Sequence, residues 1–395
     1  MSTGAPEAPS GGDRPLRVLV LDHTASLGGA ELALERLCKV LDRKVVDPRV
    51  LLFEDGPLQQ RIRRTGIPVG TEPVPPALGQ LDRVSTGRFS RWPRTAVQAA
   101  RFTVRLTRRV RRLRPDLIYT TSLKSDLIGI VVAMLTRRPL VWHVHDRISP
   151  DYLPVVMVRL VRLLSRVPAA VIVNSRATAR TLPGVPVVLA YPGFEEAQVL
   201  AAPHRRSDGR VVGMIGRISP TKGQAEFVAA GRLVLEEYPD VQLRIVGAPM
   251  FGAQHYAEQV RRHAEDLGDR IAWLDFTDDV GPQLDALDAF VHASPVPEPF
   301  GQVVVEAMIR GVPVVATRAG GVPEILRDDG QTLGVLVEPG DVADLARGIS
   351  EVLADPDAAA RRAEQAWASA RERFSVDRTA ATVTATWRRA AANVR

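Results

Sequence analysis

Two hydrophobic rhythms alternate along this chain from residue 16 to its C-terminal end. Short apolar runs such as Val211-Val212-Gly213-Met214-Ile215 have no polar face and read as strands buried on both sides. Longer stretches such as 224–238, with Phe227, Leu233 and Leu235 apolar, have helical spacing. In the first half the pattern predicts strands at 16–21, 49–53, 116–120, 140–143 and 169–173. Helices are predicted at 29–41, near 58–64, up to 113, at 124–135 and at 153–165, with a long loop over 72–92. The second half repeats the alternation, with strands at 211–215, 241–246, 270–274, 288–293, 313–317 and 333–337. Its helices are expected at 224–238, 253–267, 282–287, 301–310 and 322–326, followed by three helical stretches. Such alternation predicts an α/β protein with two Rossmann-like, doubly wound parallel sheets. The boundaries expected are a disordered tail over 1–14, a first domain over 15–190 and a second over 191–375, with a last helix over 376–395.

Open α/β sheets bind ligands beyond the carboxyl ends of their strands, so the chemistry is sought there. The strand at 211–215 runs into Gly216-Arg217-Ile218-Ser219-Pro220-Thr221-Lys222-Gly223 and then a helix. Gly216 and Gly223 let the backbone approach a ligand, the helix presents amide hydrogens, and Arg217 and Lys222 add two cations. That set suits a diphosphate, though two loop cations can also be ordinary solvated charges. The strand at 288–293 ends in a Pro-rich loop, 294–299, before the next helix. Glu298 lies at the mouth of that helix and Glu306 more than a turn inside it, where they are either a cap and an Arg310 partner or a pair of acceptors for sugar hydroxyls. In the first half, Gly28 and Gly29 open a helix after the first strand and aim amides at an anion, or simply make a turn. Val141-Trp142-His143-Val144-His145-Asp146 ends another strand on the same edge, and Asn174-Ser175 reads as a helix N-cap.

Gly216-Arg217 to Lys222-Gly223, Glu298 with Glu306 eight residues on, Gly311-Val-Pro-Val-Val-Ala and Gly320-Gly321-Val-Pro-Glu324 together resemble the family 4 glycosyltransferases, retaining enzymes of the GT-B fold. The resemblance covers nearly all of the chain beyond the N-terminal tail. It implies two domains facing across a cleft, with the last helix crossing back onto the first domain. It also implies a nucleotide-diphosphate sugar as co-substrate, most commonly a uridine one, with no other cofactor and no metal. On this reading Arg217 and Lys222 neutralise the departing diphosphate and Glu306 holds the ribose hydroxyls. Glu298 and the backbone amides around Phe300 and Gly301 hold the sugar, and Gly216 lets the backbone approach the ligand. Gly28 and Gly29 face donor phosphates and acceptor, and His145 touches the donor sugar, with His143 a packing residue. Two alternatives remain: an epimerase or hydrolase of the same fold, and a non-catalytic relative that binds membranes or partners.

Composition narrows the setting. With 395 residues, 45% apolar and 25% charged, the chain can build two full cores. Its single cysteine, Cys38, leaves no internal disulfide and fits a reducing cytoplasm. The longest uncharged apolar run, 127–135, is too short to cross a bilayer. The formal charge of +7 divides into +15 over the first 190 residues and −8 over the remainder. Ten arginines fall between Arg88 and Arg114, interleaved with apolar residues, and 153–167 is apolar with Arg159, Arg162 and Arg166. Such stretches are either solvated outer helix faces or surfaces for an anionic membrane, on the inner face of the cell membrane in this setting. Nucleic acid ranks last, because aromatic residues suited to stacking are sparse. The hydroxyl acceptor has no readable motif; cell-surface polysaccharide, glycolipid and secondary-metabolite glycoside synthesis all suit the resemblance.

Overall fold

The computed structural model describes residues 14–75, 92–203, 210–250 and 252–393. The expected tail and most of the loop at 72–92 therefore lie outside the described residues. Contacts divide the chain into two units. One runs to His143 and takes in Val156–Ile172 and the segment from Ala380; the other comprises Val144–Val155 and Val173–Thr379.

The first sheet is built from β1 (Leu16–Asp22), β2 (Val46–Leu52), β3 (Val69–Thr71), β4 (Leu117–Thr120), β5 (Leu140–Val144), β6 (Ala170–Val173) and β7 (Val187–Leu189), in the order β3-β2-β1-β4-β5-β6-β7. The pairings of β1 with β2 and β4, β2 with β3, and β4 with β5 are all parallel. The chain starts in the middle of the sheet, goes to one edge, then returns past β1 to build the other side, which places the switch of direction between β1 and β4. Strands β4 and β5 are buried at every residue, as the unbroken apolar runs require. Strands β3 and β7, three residues each and only half-buried, were not predicted: β3 reads Val-Gly-Thr with no apolar run, and β7, Val187–Leu189, is apolar but too short to stand out as a strand.

The second sheet repeats the plan with β8 (Val211–Ile215), β9 (Gln242–Val246), β10 (Ile271–Leu274), β11 (Ala289–His292), β12 (Val314–Thr317) and β15 (Val335–Val337). Its order is β10-β9-β8-β11-β12-β15, so β8 and β11 flank the switch point. The two faces of β8 feed separate cores: Val212 and Met214 join Phe227, Leu243 and Ile349, while Val211 and Ile215 join Phe290, Phe300 and Met308. That is the two-residue period of a strand buried on both sides.

Two local departures from the sequence reading have clear causes. The helix expected over 253–267 is Gln254–His263 followed by a 3-10 stretch, Glu265–Arg270, broken at Gly268 with φ of +51°. A small hairpin, β13 (Arg327–Asp328) with β14 (Gln331–Thr332), turns at Asp329 and Gly330, both with positive φ, a turn the Asp-Gly pair signals.

Three helices close the chain: Val342–Ala354, Pro356–Arg373 and Val376–Ala392. From Ala380 onward the last belongs to the first unit, where fully buried Trp387 meets Tyr119 edge-on at 4.9 Å. Cys38 is buried in helix Gly29–Val40, where burial pushes its thiol up to about 12; it packs and does not react.

Candidate active site

The turns after β8 and β11, on either side of the switch point, are joined. Gly223 caps helix Gln224–Glu237 with φ of +84°, and a Cβ there would sit 2.0 Å from the Ala293 carbonyl oxygen. Only glycine allows the two turns to approach this closely. The close approach brings Lys222 Nζ within 2.6 Å of Glu298 Oε1. The Ser294 hydroxyl lies 2.7 Å from that same oxygen and 2.7 Å from the Thr221 carbonyl. His292, the last residue of β11, brings its Nε2 to 3.2 Å from Glu298 Oε1, while its Nδ1 pairs with Thr317 Oγ1 at 3.1 Å.

Glu298 is thus a carboxylate held by charge. Burial alone would raise its pKa, but the Lys222 ammonium and the His292 ring outweigh burial and hold it well below the ordinary carboxylate range. Its side chain is 12% exposed and that of Lys222 is 27% exposed, so the pair borders solvent. A third turn supports the acid from behind. Gly320 has φ of +63° and would place a Cβ 2.0 Å from the Glu298 carbonyl oxygen, while the Gly321 amide donates to that oxygen at 2.9 Å.

The remaining sequence candidates fall in three groups. Gly216 directly follows β8, and Arg217 comes next with an exposed side chain, its carbonyl accepting from Gln224 Nε2 at 3.0 Å. Phe300 is buried in an aromatic cluster with Tyr191 and Phe374, so only its backbone can meet a ligand. Gly301 is the N-cap of helix Gln302–Ile309, and half-buried Glu306 sits on that helix's second turn. Arg310 directs its guanidinium to Asp285. His145 follows β5, half-buried, with its carbonyl accepting from Asn174 Nδ2 at 3.1 Å. Two residues on, Arg147 Nη1 donates to the Pro297 carbonyl at 3.2 Å, so the His145 segment touches the loop that carries Glu298. His143 is buried against the Tyr119 hydroxyl, in the packing position expected of it. Gly28 and Gly29 belong to the first unit, where Gly28 is the N-cap of helix Gly29–Val40.

Sequence reasoning missed His292, Ser294 and Arg147, because single polar residues at strand ends carry no spacing signal. It quoted Glu324 without a role. That carboxylate accepts from the Arg176 and Ala177 amides at 2.9 and 3.1 Å and from the Tyr191 hydroxyl at 3.1 Å. Ser175 is the N-cap expected, accepting from the Thr178 amide at 2.8 Å, and it also reaches the Pro299 carbonyl at 2.5 Å.

Two Rossmann-like sheets, one with cations and a partly buried carboxylate at its switch point, define a class of α/β protein built to hold an anionic co-substrate at strand ends. The known proteins it matches are of that class. The family model described as glycosyl transferases group 1 matches residues 198–368, and the glycosyl transferase 4-like domain matches 28–188. Anabaena HepE, crystallised with UDP and glucose, superposes with a TM-score of 0.79 at 30% identity, covering 94% of this chain and 99% of that one. The lipopolysaccharide core biosynthesis glycosyltransferase LpsE of Rhizobium meliloti is 34% identical over 40% of this chain and 44% of its own. The D-inositol 3-phosphate glycosyltransferase of Corynebacterium glutamicum is 33% identical over 53% of this chain and 51% of its own. The matched segments thus span about half or less of these two curated relatives. The chain belongs to the group 1 glycosyltransferases, with the GT-B fold.

Proposed function

We propose that this protein is a retaining, family 4 glycosyltransferase that moves a sugar from a nucleoside diphosphate sugar, UDP-linked, to a hydroxyl acceptor without a metal ion. The observation that carries the reading is the Lys222–Glu298 pair at the switch point of the second sheet, beside the Gly216-Arg217 turn. The crystallisation of HepE with UDP and with UDP-glucose supports a uridine donor. In the transfer, the bond from the anomeric carbon to the diphosphate oxygen breaks and its electron pair leaves with the diphosphate. Arg217 and Lys222 stabilise that developing charge, in the role a metal ion otherwise fills. The acceptor oxygen bonds to the anomeric carbon on the face the diphosphate vacates, and its proton passes to the departing phosphate. Glu298 holds Lys222 in place and, with the amides of Phe300 and Gly301, meets the donor sugar; Glu306 takes the ribose hydroxyls. His145 meets the sugar from the segment that touches the 294–299 loop, and Gly28 and Gly29 serve donor phosphates and acceptor in the first unit. We further propose that the arginine-rich first unit contacts an anionic membrane, which suits an acceptor of the glycolipid or cell-surface polysaccharide class. Among the described residues no helix is long and apolar enough to cross a membrane.

A panel of labelled nucleotide sugars, scored for sugar transfer and slow hydrolysis, tests the reading. UDP sugars are expected to be consumed, and Glu306→Ala to raise the donor KM roughly ten- to hundredfold, since two hydroxyl contacts to a carboxylate are lost. Release of UDP with an isomerised sugar in the absence of any acceptor would replace transfer with epimerisation. Gly320→Ala should displace the Glu298 backbone and cut turnover by up to about a hundredfold while the protein stays folded, because small misplacements at a reacting centre are costly. Titration of UDP against the variant, followed calorimetrically, separates lost affinity from lost turnover.

A further inference from the structure

Three helices of the first unit share one side of its sheet. Helix Trp92–Leu113 connects β3 to β4, Leu123–Thr136 connects β4 to β5, and Val155–Leu164 connects β5 to β6. All three connections run in the same direction across the sheet, and right-handed crossovers place their helices on one face. The first two pack on each other, with Arg111 Nη2 donating to the Leu135 carbonyl at 2.9 Å.

The outward surfaces of these helices carry large apolar side chains among their arginines, where solvent-facing helices are ordinarily polar throughout. Helix Val155–Leu164 buries Val158 and Val161, yet its opposite side carries Val156, Leu160, Leu163 and, just beyond it, Val167, all exposed and spaced four, three and four apart. Val156 is 75% exposed and Leu163 60%. Helix Leu123–Thr136 adds Val131, Leu135 and Met134, the last 60% exposed. Of fourteen large exposed apolar side chains among the described residues, ten lie on these helices or at Val167. A face of this kind on a protein surface marks a binding site.

Its charge indicates the partner. The outer stripe of helix Trp92–Leu113 reads Val97, Arg101, Val104, Arg108 and Arg112, and Arg159 and Arg166 flank the apolar stripe of 156–167. Across 92–114, 123–138 and 155–167 the one acidic residue is Asp126, which is buried and accepts from the Thr120 hydroxyl at 2.5 Å. A second copy of the chain would bring like charges together. Nucleic acid finds no exposed aromatic among the described side chains of these helices, Phe102 being buried. Aliphatic side chains among arginines match an anionic bilayer interface, where the chains enter the headgroup region and the guanidiniums pair with lipid phosphates.

We propose that the outer face of these three helices is a docking surface for anionic lipid, with Val156, Leu160, Leu163 and Met134 entering the headgroup layer and Arg101, Arg108, Arg112, Arg159 and Arg166 binding phosphate. The inference gives a location to the membrane contact proposed above and does not depend on the transfer reaction. Flotation of the full chain with phosphatidylcholine vesicles, with and without phosphatidylglycerol, tests it. The wild type should float with the anionic vesicles at low salt and not with neutral ones. Arg159→Glu with Arg166→Glu should reduce the bound fraction roughly tenfold or more, like-sign repulsion adding to the lost attraction. Leu160→Glu with Leu163→Glu should remove the part of the binding that survives high salt, because that part is apolar insertion and is not screened. Circular dichroism and UDP binding should be unchanged in both variants. Flotation that persists undiminished in both leaves membrane contact standing and overturns this face. A wild type that never floats overturns both. Loss of self-association in the leucine variant, measured by sedimentation without vesicles, would assign the face to a second copy and also overturn the proposal.

Discussion

Lys222→Ala is expected to lower sugar transfer by roughly 10²–10³-fold with the fold intact, the cost of removing a preorganised cation from a developing charge. The ammonium is already fixed before any ligand arrives, since its Nζ lies 2.6 Å from Glu298 Oε1 and the glycine at 223 holds the two turns together. Little reorganisation is then needed at the moment of bond cleavage. Steady-state kinetics with saturating donor should show the loss chiefly in kcat, with a smaller rise in KM, as befits an interaction that strengthens as the diphosphate departs. Lys222→Arg should recover part of the rate because the charge remains. A Lys222→Ala enzyme that turns over normally would remove Lys222 from the chemistry.

The second large effect is on stability and its pH dependence. Glu298→Gln removes the counter-charge from Lys222 and leaves a half-buried ammonium beside His292 and an amide. Breaking a fully buried pair costs more, but with 27% of the Lys222 side chain exposed the expected loss is on the order of 2 kcal/mol. That loss corresponds to a fall of roughly 4–8 °C in the Tm of a unit of this size. The pH dependence has a definite sign. The folded protein holds the Glu298 carboxyl below its ordinary value of 4.5, so its contribution is fully present above about pH 4.5 and is lost as pH falls through the lowered folded value. Acidification below 4.5 should therefore destabilise the wild type more steeply than Glu298→Gln, which has no carboxylate to protonate at that position. Thermal melts of both proteins from neutral pH downward measure it; parallel curves would mean that the pair contributes nothing to folding.

Much of this site could be read one strand end at a time. The loop from Gly216 to Gly223 announced itself by its glycines and cations, and the loop at 294–299 by its prolines and by Glu298. Glu306 was legible because it lies eight residues beyond Glu298, on a helix that the apolar positions of 302–309 marked. The backing role of Gly320 was not legible. It depends on an approach to the Glu298 carbonyl from a turn on the far side of β12, and spacing along the chain does not register such an approach. His292 was hidden for a related reason. A lone histidine at the end of an apolar strand looks like packing until its neighbour across the fold is known.

By itself the sequence determined that the chain forms two parallel-sheet α/β units, because strands buried on both faces must be continuously apolar and the helices between them must be amphipathic. It also determined which loops end those strands. Only the tertiary structure decided which loops meet. Lys222 and Glu298 are 76 residues apart, and β9 and β10 intervene between their strands in sequence while β8 and β11 are neighbours in space. That neighbourhood follows from right-handed crossovers running first to one edge and then back past the starting strand, a consequence of strand twist and helix packing that no local pattern of residues encodes.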